Sequence, residues 1–195
     1  MSLLPKELGR EIVLALRLLY WRGLISGASG NISARLGKRD AMVITPSGLH
    51  KATVSLGDLV VVSFDGEVLA GDRPSIEWRM HREVYLARED IRAVVHAHPP
   101  FTLAAADAVA KSPYPEVRYV VGRVSVVPPL EPGSVELAAR VGAEFRAGAD
   151  AVIMLRHGVV IGGTRPLHAE ARVEALEEVA KVMWLERKLL TGSSL

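Results

Sequence analysis

The stretch AVVHAHPP at residues 93–100 sets the expected architecture of the chain. Its small and β-branched apolar residues predict a buried strand, which must stop at Pro99. Side chains alternate between the two faces of a strand, so His96 and His98 are expected to point the same way. A core strand of this kind therefore carries two imidazoles to one side of its end, where they can bind a metal ion.

A third histidine has a similar setting. His157 follows an apolar run at residues 152–155, and Gly158 behind it leaves the backbone room. Three neutral imidazoles leave one coordination position open, which is typical of a catalytic rather than a structural zinc site. The sequence therefore predicts a divalent cation held by His96, His98 and His157, with zinc first and cobalt or manganese as substitutes.

Short apolar strands alternate irregularly with helices along the rest of the chain. Helical spacing of Leu8, Ile12 and Leu16 predicts the first helix, and Ser134 is an N-cap candidate for a later one. No linker or repeat interrupts the pattern, so one α/β domain over residues 1–195 is expected. The predicted strands are residues 32–36, 42–45, 59–64, 68–69, 93–97, one or two within 119–127, 152–155 and 159–161, and the predicted helices are 5–24, 74–88, one from 102, 134–146 and 166–190.

Composition narrows the class of protein. Apolar residues make up 49% of the 195 residues, the net charge is +2, and the Lys and Arg side chains are interleaved with Asp and Glu. A nucleic-acid-binding module is not expected, because there is no basic stripe and no set of stacking aromatics. The absence of cysteine excludes disulfides and thiolate ligands. No run is long and apolar enough to span a membrane and no secretory signal is visible, so a cytoplasmic location is expected.

Residues with side-chain amides are nearly absent from the sequence. The chain has no Gln and a single Asn, Asn31, and Arg greatly outnumbers Lys. Depletion of thermolabile amides fits a thermophilic source, although a codon bias explains the arginine excess equally well. The one remaining amide stands out as a candidate site residue.

Three polar turns are candidate anion-binding loops. They are residues 27–31 (GASGN), 45–48 (TPSG) and 74–75 (PS), each with backbone amides and a hydroxyl or amide side chain. Such turns bind phosphate through N–H groups, and the third also opens a helix. Glu77 follows in that helix's first turn, where a carboxylate either interacts with the helix dipole or, close to a metal, serves as an acid or base.

Five motifs occur in order along the chain: GNIS at 30–33, TPSG at 45–48, PSIEW at 74–78, HAHP at 96–99 and LRHG at 155–158. In this order they resemble the class II aldolase/epimerase family, in particular its aldolases that act on ketose 1-phosphates of the fuculose type. The resemblance spans the chain from its first helix to its last. It implies a three-layer α/β/α fold around a largely antiparallel sheet, and a homotetramer with active sites between subunits.

The resemblance also implies roles for individual residues. His96, His98 and His157 would bind Zn2+, and Glu77 would be the general acid/base. The substrate phosphate would be held by Asn31, Ser47, Gly48 and Ser75, with Gly30 shaping the turn. Tyr119, which on sequence alone is an ordinary strand aromatic, would reach a neighbouring active site and help protonate the aldehyde oxygen.

The implied reaction is the reversible cleavage of a ketose 1-phosphate to dihydroxyacetone phosphate and a small aldehyde through a zinc-stabilised enediolate. Two departures from the family pattern bear on it. Ile76 stands where many of these aldolases have a second serine, which removes one phosphate hydroxyl. The sequence ends at Leu195, without the tail that carries a further tyrosine in longer relatives, so looser control of the aldehyde is expected.

The same motifs are also consistent with other functions within this family. Methylthioribulose-1-phosphate dehydratases share the three histidines, and ribulose-5-phosphate 4-epimerases share the metal site but lack a glutamate at the position of Glu77. A non-catalytic scaffold like the adducin head has the same fold without the metal ligands. The presence of all three histidines together with Glu77 favours an enzyme.

Overall fold

The computed structural model describes residues 4–37 and 40–190, which form eight strands and six α-helices. Two short 3-10 helices, Lys51–Thr53 and Leu56–Asp58, and a single π-helical turn, Val117–Val121, complete the regular structure. The strands are β1 Asn31–Arg35, β2 Ala41–Ile44, β3 Val60–Ser63, β4 Val68–Ala70, β5 Ala93–Ala97, β6 Val124–Val127, β7 Ala151–Met154 and β8 Gly158–Gly163. The helices are α1 Lys6–Trp21, α2 Trp78–Ala87, α3 Pro100–Ala104, α4 Ala106–Ala110, α5 Val135–Arg146 and α6 Pro166–Leu190.

All eight strands form one sheet in the order β4-β3-β2-β1-β5-β8-β7-β6. Every neighbouring pair is antiparallel except β6 and β7, which are parallel. The predicted strand at residues 93–97 lies in the interior of this sheet, with β1 on one side and β8 on the other. The expected largely antiparallel sheet is therefore confirmed.

Helices cover both faces of the sheet. One buried cluster joins α1, α3, α4 and α6 to one face, with Leu16 and Leu176 fully buried in it. The other joins α2 and α5 to the opposite face, around Tyr85 and Phe145. Because both faces are buried, the central strands are apolar at nearly every position instead of alternating apolar with polar. This arrangement is the three-layer α/β/α fold that the sequence predicts.

Two local predictions are wrong. One strand, Val124–Val127, lies within residues 119–127 as predicted, but Tyr119, which was expected to be in a strand, lies in the π-helical turn. The β-branched valines of this segment resemble a strand, yet Val117 and Val121 turn inward to the core on one face of the turn. The helix expected from residue 74 begins at Trp78 instead, so Ser75 and Glu77 lie in the turn before it. The segment between the predicted strands 32–36 and 42–45 includes Lys38 and Arg39, which lie outside the described residues.

Strand pairing brings distant residues to one edge of the sheet. Asn31, at the start of β1, pairs with His96 near the end of β5. Ala97, at the end of β5, pairs with Val159 at the start of β8. Because neighbouring strands run in opposite directions, the start of β1, the end of β5 and the start of β8 meet. The chain enters β1 through Gly30, whose φ is +75°.

Gly30→Ala tests how tightly that entry is packed. A methyl group there would overlap the Ile25 side chain and lie 3.1 Å from the carbonyl oxygen of His96, besides straining a left-handed residue. We expect Gly30→Ala to lower the free energy of unfolding by about 2–5 kcal/mol in urea denaturation. Gly23→Ala, at φ +69° with open space around it, is the matched control and should lose about 1–2 kcal/mol. Equal losses in the two variants would contradict the packing argument.

Candidate metal centre and active site

Three imidazoles converge where β1, β5 and β8 meet. The ligand atoms of His96, His98 and His157 all lie within 4.8 Å of one another, and His96 Nε2 is 2.9 Å from His98 Nε2. His96 is buried, and the other two are partly buried. Their positions follow from strand geometry: His96 and His98 flank the end of β5 on one face, and His157 immediately precedes β8. The arrangement that the sequence predicts for a metal site is present.

The hydrogen bonds of these histidines suit a metal. His96 Nδ1 lies 3.0 Å from the carbonyl oxygen of Val159, and a proton on Nδ1 leaves the Nε2 lone pair directed at the cluster. Burial, followed by the proximity of His96 and His157, lowers the pKa of His98 to about 4, so its imidazole is neutral near pH 7. Neutral imidazoles are the form that binds a divalent cation. This donor set, without thiolates, fits zinc.

Glu77 lies against the histidines. Its Oε2 is 3.0 Å from His96 Nε2 and accepts a hydrogen bond from Asn31 Nδ2 at 3.0 Å, while Oε1 is 3.2 Å from His157 Nε2. Burial alone would raise the pKa of Glu77, but His96, His157 and Asn31 favour the charged form more strongly and hold the pKa well below its usual range. Glu77 is therefore an ionised carboxylate, which is the form required of a base.

A pocket of about 210 Å³ opens over this cluster. It is lined by Glu77, the three histidines and residues from all three polar turns, including Gly30, Asn31, Ser47, Gly48 and Ser75. Pockets for drug-sized ligands measure about 300–1,000 Å³, so this one suits a small metabolite. A larger surface groove beside α1, about 460 Å³, is lined by Arg10, Leu56 and their neighbours without any histidine or carboxylate. The chemistry is therefore assigned to the smaller pocket.

The turns that line the pocket are tied to one another. Pro46 and Pro74 form an isolated β-bridge. The Ser47 amide donates to the Arg73 carbonyl at 3.0 Å, and the Ser75 amide donates to the Thr45 carbonyl at 3.1 Å. The two turns are thus joined, and both serines line one pocket, where Ser75 Oγ also accepts from the Glu77 amide at 3.4 Å.

The protein's relatives have the same architecture. The family model described as "Class II Aldolase and Adducin N-terminal domain" matches residues 10–184. The chain belongs to this family. L-fuculose phosphate aldolase of Methanococcus maripaludis is 33% identical over 181 residues, covering 92% of this chain and 97% of the relative. The 3-oxo-tetronate 4-phosphate decarboxylase of Haemophilus influenzae is 32% identical over 185 residues, covering 90% and 86%.

A solved structure supports the same assignment. L-fuculose-1-phosphate aldolase from Thermus thermophilus matches with a TM-score of 0.84 at 29% identity, covering 98% of this chain and 99% of that one. The protein is therefore an enzyme, an aldolase-type lyase of a metal-dependent family, with a candidate site of three histidines. No helix among residues 4–37 and 40–190 is long and apolar enough to cross a membrane.

Not every predicted residue of this class II aldolase lies at the pocket. Tyr119 is 75% exposed and is not among the pocket-lining residues. Asn31 lines the pocket, but its side-chain Nδ2 already donates to Glu77. Its side-chain Oδ1 is buried without a hydrogen-bond partner among the described residues. Asn31 thus orients the carboxylate, in addition to any contact with a phosphate.

Two further residues, one lining the pocket and one in the buried interior, had no role predicted from the sequence. Lys51 lines the pocket and is 2% exposed. His81 is fully buried on α2, with Nδ1 2.7 Å from Ser33 Oγ, and Ser33 Oγ is 2.7 Å from Tyr85 OH. The only signal in the sequence was the position of each: Lys51 is three residues beyond the TPSG turn, and His81 and Tyr85 are four apart on one helix face.

Gly158→Ala tests the close packing behind the metal ligands. A methyl group at Gly158 would lie 2.6 Å from His96 Cε1, His98 Cδ2 and the carbonyl oxygen of Ala97. Both rings must then move, so we expect metal affinity to fall by about 10- to 100-fold, as when groups that orient ligands are disturbed. Competition with a chromophoric chelator measures the affinity. Gly57→Ala, which has only a contact at 3.9 Å, is the control and should bind metal normally.

His81 makes stability depend on pH. Burial, followed by the proximity of His96, lowers its pKa from 6.5 to about 3, so between these values the unfolded chain binds a proton that the folded chain does not. The contribution of His81 to the free energy of unfolding is at its full value above pH 6.5. It falls by about 1.4 kcal/mol per pH unit as the pH decreases towards 3.

We therefore expect the unfolding free energy of His81→Gln to fall less steeply between pH 6 and pH 4 than that of the unmodified protein. The two slopes should differ by about 1.4 kcal/mol per pH unit. Urea denaturation across this range measures it. His50→Gln, at an exposed histidine, should keep the slope of the unmodified protein. An unchanged slope in His81→Gln would show that other groups cause the dependence.

Proposed function

We propose that this class II aldolase catalyses the reversible cleavage of a ketose 1-phosphate of the fuculose type to dihydroxyacetone phosphate and a small aldehyde. The observation that carries the proposal is the convergence of three imidazoles and an ionised Glu77 in a pocket lined by three polar turns. The M. maripaludis and T. thermophilus proteins, which are named as fuculose phosphate aldolases, support this substrate class.

In this proposal His96, His98 and His157 would hold the divalent cation, which we propose is zinc. When bound, such a cation supplies Lewis acidity to the carbonyl and hydroxyl oxygens of the substrate. Asp and Cys ligands are not needed, because three imidazoles already make a catalytic site with an open position.

Glu77 would move the proton. In the synthetic direction its carboxylate takes the proton from the hydroxyl-bearing carbon next to the ketone, and the resulting carbon nucleophile attacks the aldehyde carbonyl. The aldehyde oxygen gains a proton as the carbon–carbon bond forms, a transfer that Tyr119 would assist. In the cleavage direction that hydroxyl loses its proton as the bond breaks, and Glu77 in its protonated form gives its proton to the carbon next to the ketone. The hydrogen bond from Asn31 at 3.0 Å fixes the orientation of the carboxylate, which supports efficient transfer.

The opposite end of the substrate carries the phosphate. Ser47 and Ser75 would bind it through their hydroxyl groups, together with Asn31 and the backbone of Gly48, and Gly30 would shape the turn that carries Asn31. Ile76 also lines the pocket and offers no side-chain donor, which leaves the third turn with one hydroxyl.

We further propose a cytoplasmic homotetramer of single-domain subunits, with active sites at the interfaces. Exposed apolar side chains support burial against another subunit, among them Trp184, Leu185 and Leu189 on α6. Tyr119 is exposed in the same way, which supports its proposed reach into a neighbouring active site, where it would help protonate the aldehyde oxygen.

A second candidate reaction comes from the H. influenzae relative, which is named as a decarboxylase of a phosphorylated 3-oxo acid. That substrate also has a phosphate at one end and a carbonyl group, so it fits the same pocket. The dehydratase and epimerase reactions use phosphorylated ketoses as well. A scaffold without catalysis is disfavoured, because all three histidines and Glu77 lie in contact.

Metal content and activity test the proposal together. Purified protein should contain about one zinc per chain and cleave fuculose 1-phosphate, with cleavage lost on chelation and restored by zinc. Elemental analysis and coupled detection of dihydroxyacetone phosphate measure the two properties. Bound metal with activity only on the 3-oxo acid phosphate, methylthioribulose 1-phosphate or ribulose 5-phosphate would replace the aldolase assignment with one of the alternatives.

Glu77→Gln separates proton transfer from metal binding. Loss of a general base typically lowers turnover by about 10²- to 10⁴-fold, and we expect a fall in kcat in that range. Zinc content should stay near one per chain, since the three histidines are unchanged. Glu67→Gln, at an exposed glutamate, serves as the control with normal turnover. Full activity in Glu77→Gln would remove Glu77 from the mechanism.

A further inference from the structure

Lys51 is a buried cation in the pocket wall. Its side chain is among the largest that are fully buried, and the residue is 2% exposed. Its backbone amide donates to the Gly27 carbonyl at 2.8 Å, and its Nζ donates to the Pro46 carbonyl at 2.9 Å. The residue therefore joins the turn at 27–31 to the turn at 45–48 and directs its ammonium group between them.

This ammonium has no counter-charge in the part of the chain that the structure describes. No carboxylate there lies within 4.0 Å of Lys51 Nζ, and Glu77, in the same pocket, contacts His96 and His157 instead. Burial lowers the pKa of Lys51, and no acidic neighbour offsets it. A buried charge without a partner is costly, so a ligand that supplies the opposite charge is favoured here.

Several neutral donors around the pocket are already engaged. The Ser47 and Ser75 amides donate to backbone carbonyls, and the Asn31 side chain donates to Glu77. An ammonium has three N–H groups, and among the described residues only the Pro46 carbonyl accepts a hydrogen bond from Lys51 Nζ. Lys51 therefore has free N–H groups to offer an anion, which the amides of Ser47 and Ser75 do not have.

We propose that Lys51 binds the phosphate of the substrate and gives the pocket its preference for a dianionic group over a neutral one. The inference rests on the proposed function, because it takes the substrate to be a phosphate ester held by the three polar turns. Charge-assisted hydrogen bonds to phosphate are shorter and stronger than neutral ones, so one such cation can dominate the affinity. Lys51 is a binding residue on this account, and proton transfer stays with Glu77.

Lys51→Met tests the proposal, since it keeps the length of the side chain and removes the charge. Isothermal titration of the zinc-loaded protein with inorganic phosphate should show affinity about 10- to 100-fold weaker than in the unmodified protein. Lys111→Met, at an exposed lysine, is the matched control and should leave the affinity unchanged. Equal phosphate affinity in Lys51→Met and the control would overturn the proposal, as would the absence of phosphate binding to the unmodified protein.

Kinetic measurements distinguish two roles for Lys51, namely binding the phosphate and holding the two turns together. We expect Lys51→Met to raise KM for the phosphorylated substrate by a similar factor and to change kcat little. Titration with unphosphorylated dihydroxyacetone should give the same result in Lys51→Met and the unmodified protein. Equal losses for the phosphorylated and unphosphorylated compounds would instead assign Lys51 a structural role.

A measurement without a variant guards against misfolding of Lys51→Met. In a crystal of the unmodified zinc-loaded protein soaked in inorganic phosphate, Lys51 Nζ should lie about 2.8 Å from a phosphate oxygen. Phosphate bound elsewhere, for example on the metal alone, would overturn the inference. If phosphate binding depends on Lys51 but fuculose 1-phosphate is not cleaved, the inference stands and the proposed reaction fails.

Discussion

The antiparallel pairing of β5 with β1 and β8 is the constraint on which the site depends. It places Asn31 opposite His96 and Ala97 opposite Val159, so three strands that are far apart in sequence bring their ends together at one edge of the sheet. The same pairing provides the Val159 carbonyl that contacts His96 Nδ1. A shift of one residue in this register would send His96 to the other face and separate the imidazoles. The metal site is therefore a consequence of strand register.

The turn that joins β7 to β8 at this edge of the sheet contains a residue with a strained backbone. Arg156, between β7 and His157, has φ +61°, which is unfavourable for a residue other than glycine. The His157 amide closes this turn by donating to the Met154 carbonyl at 3.1 Å. The left-handed residue lets the chain reverse in two residues, so that His157 precedes β8 directly. Rigid strands on both sides hold the turn in that conformation.

The sequence predicted those features that depend on local pattern. The HAHP segment predicted two ligands on one face because side chains alternate along any strand. The helices on both faces of the sheet were expected from the family resemblance, and not from the strand pattern. Tyr119 was misassigned because the preference of valine for strands was outweighed by burial of Val117 and Val121 in a helical turn. Lys51 in the pocket wall and His81 in the buried interior are positioned by tertiary contacts with residues 46 and 33, which no local pattern contains.

The charges of the pocket are separated in a way that matches a phosphorylated ketone. Glu77 and Lys51 line one pocket, yet within the described residues they form no ion pair, because the carboxylate is held by His96, His157 and Asn31 and the ammonium by Pro46. A direct pair would neutralise both the carboxylate and the ammonium. Because the two charges are held apart, the pocket presents a negative group beside the histidines and a positive group at the turn that contains Pro46. The proposed substrate, with a phosphate at one end, would therefore bind in one orientation, with that end towards Lys51.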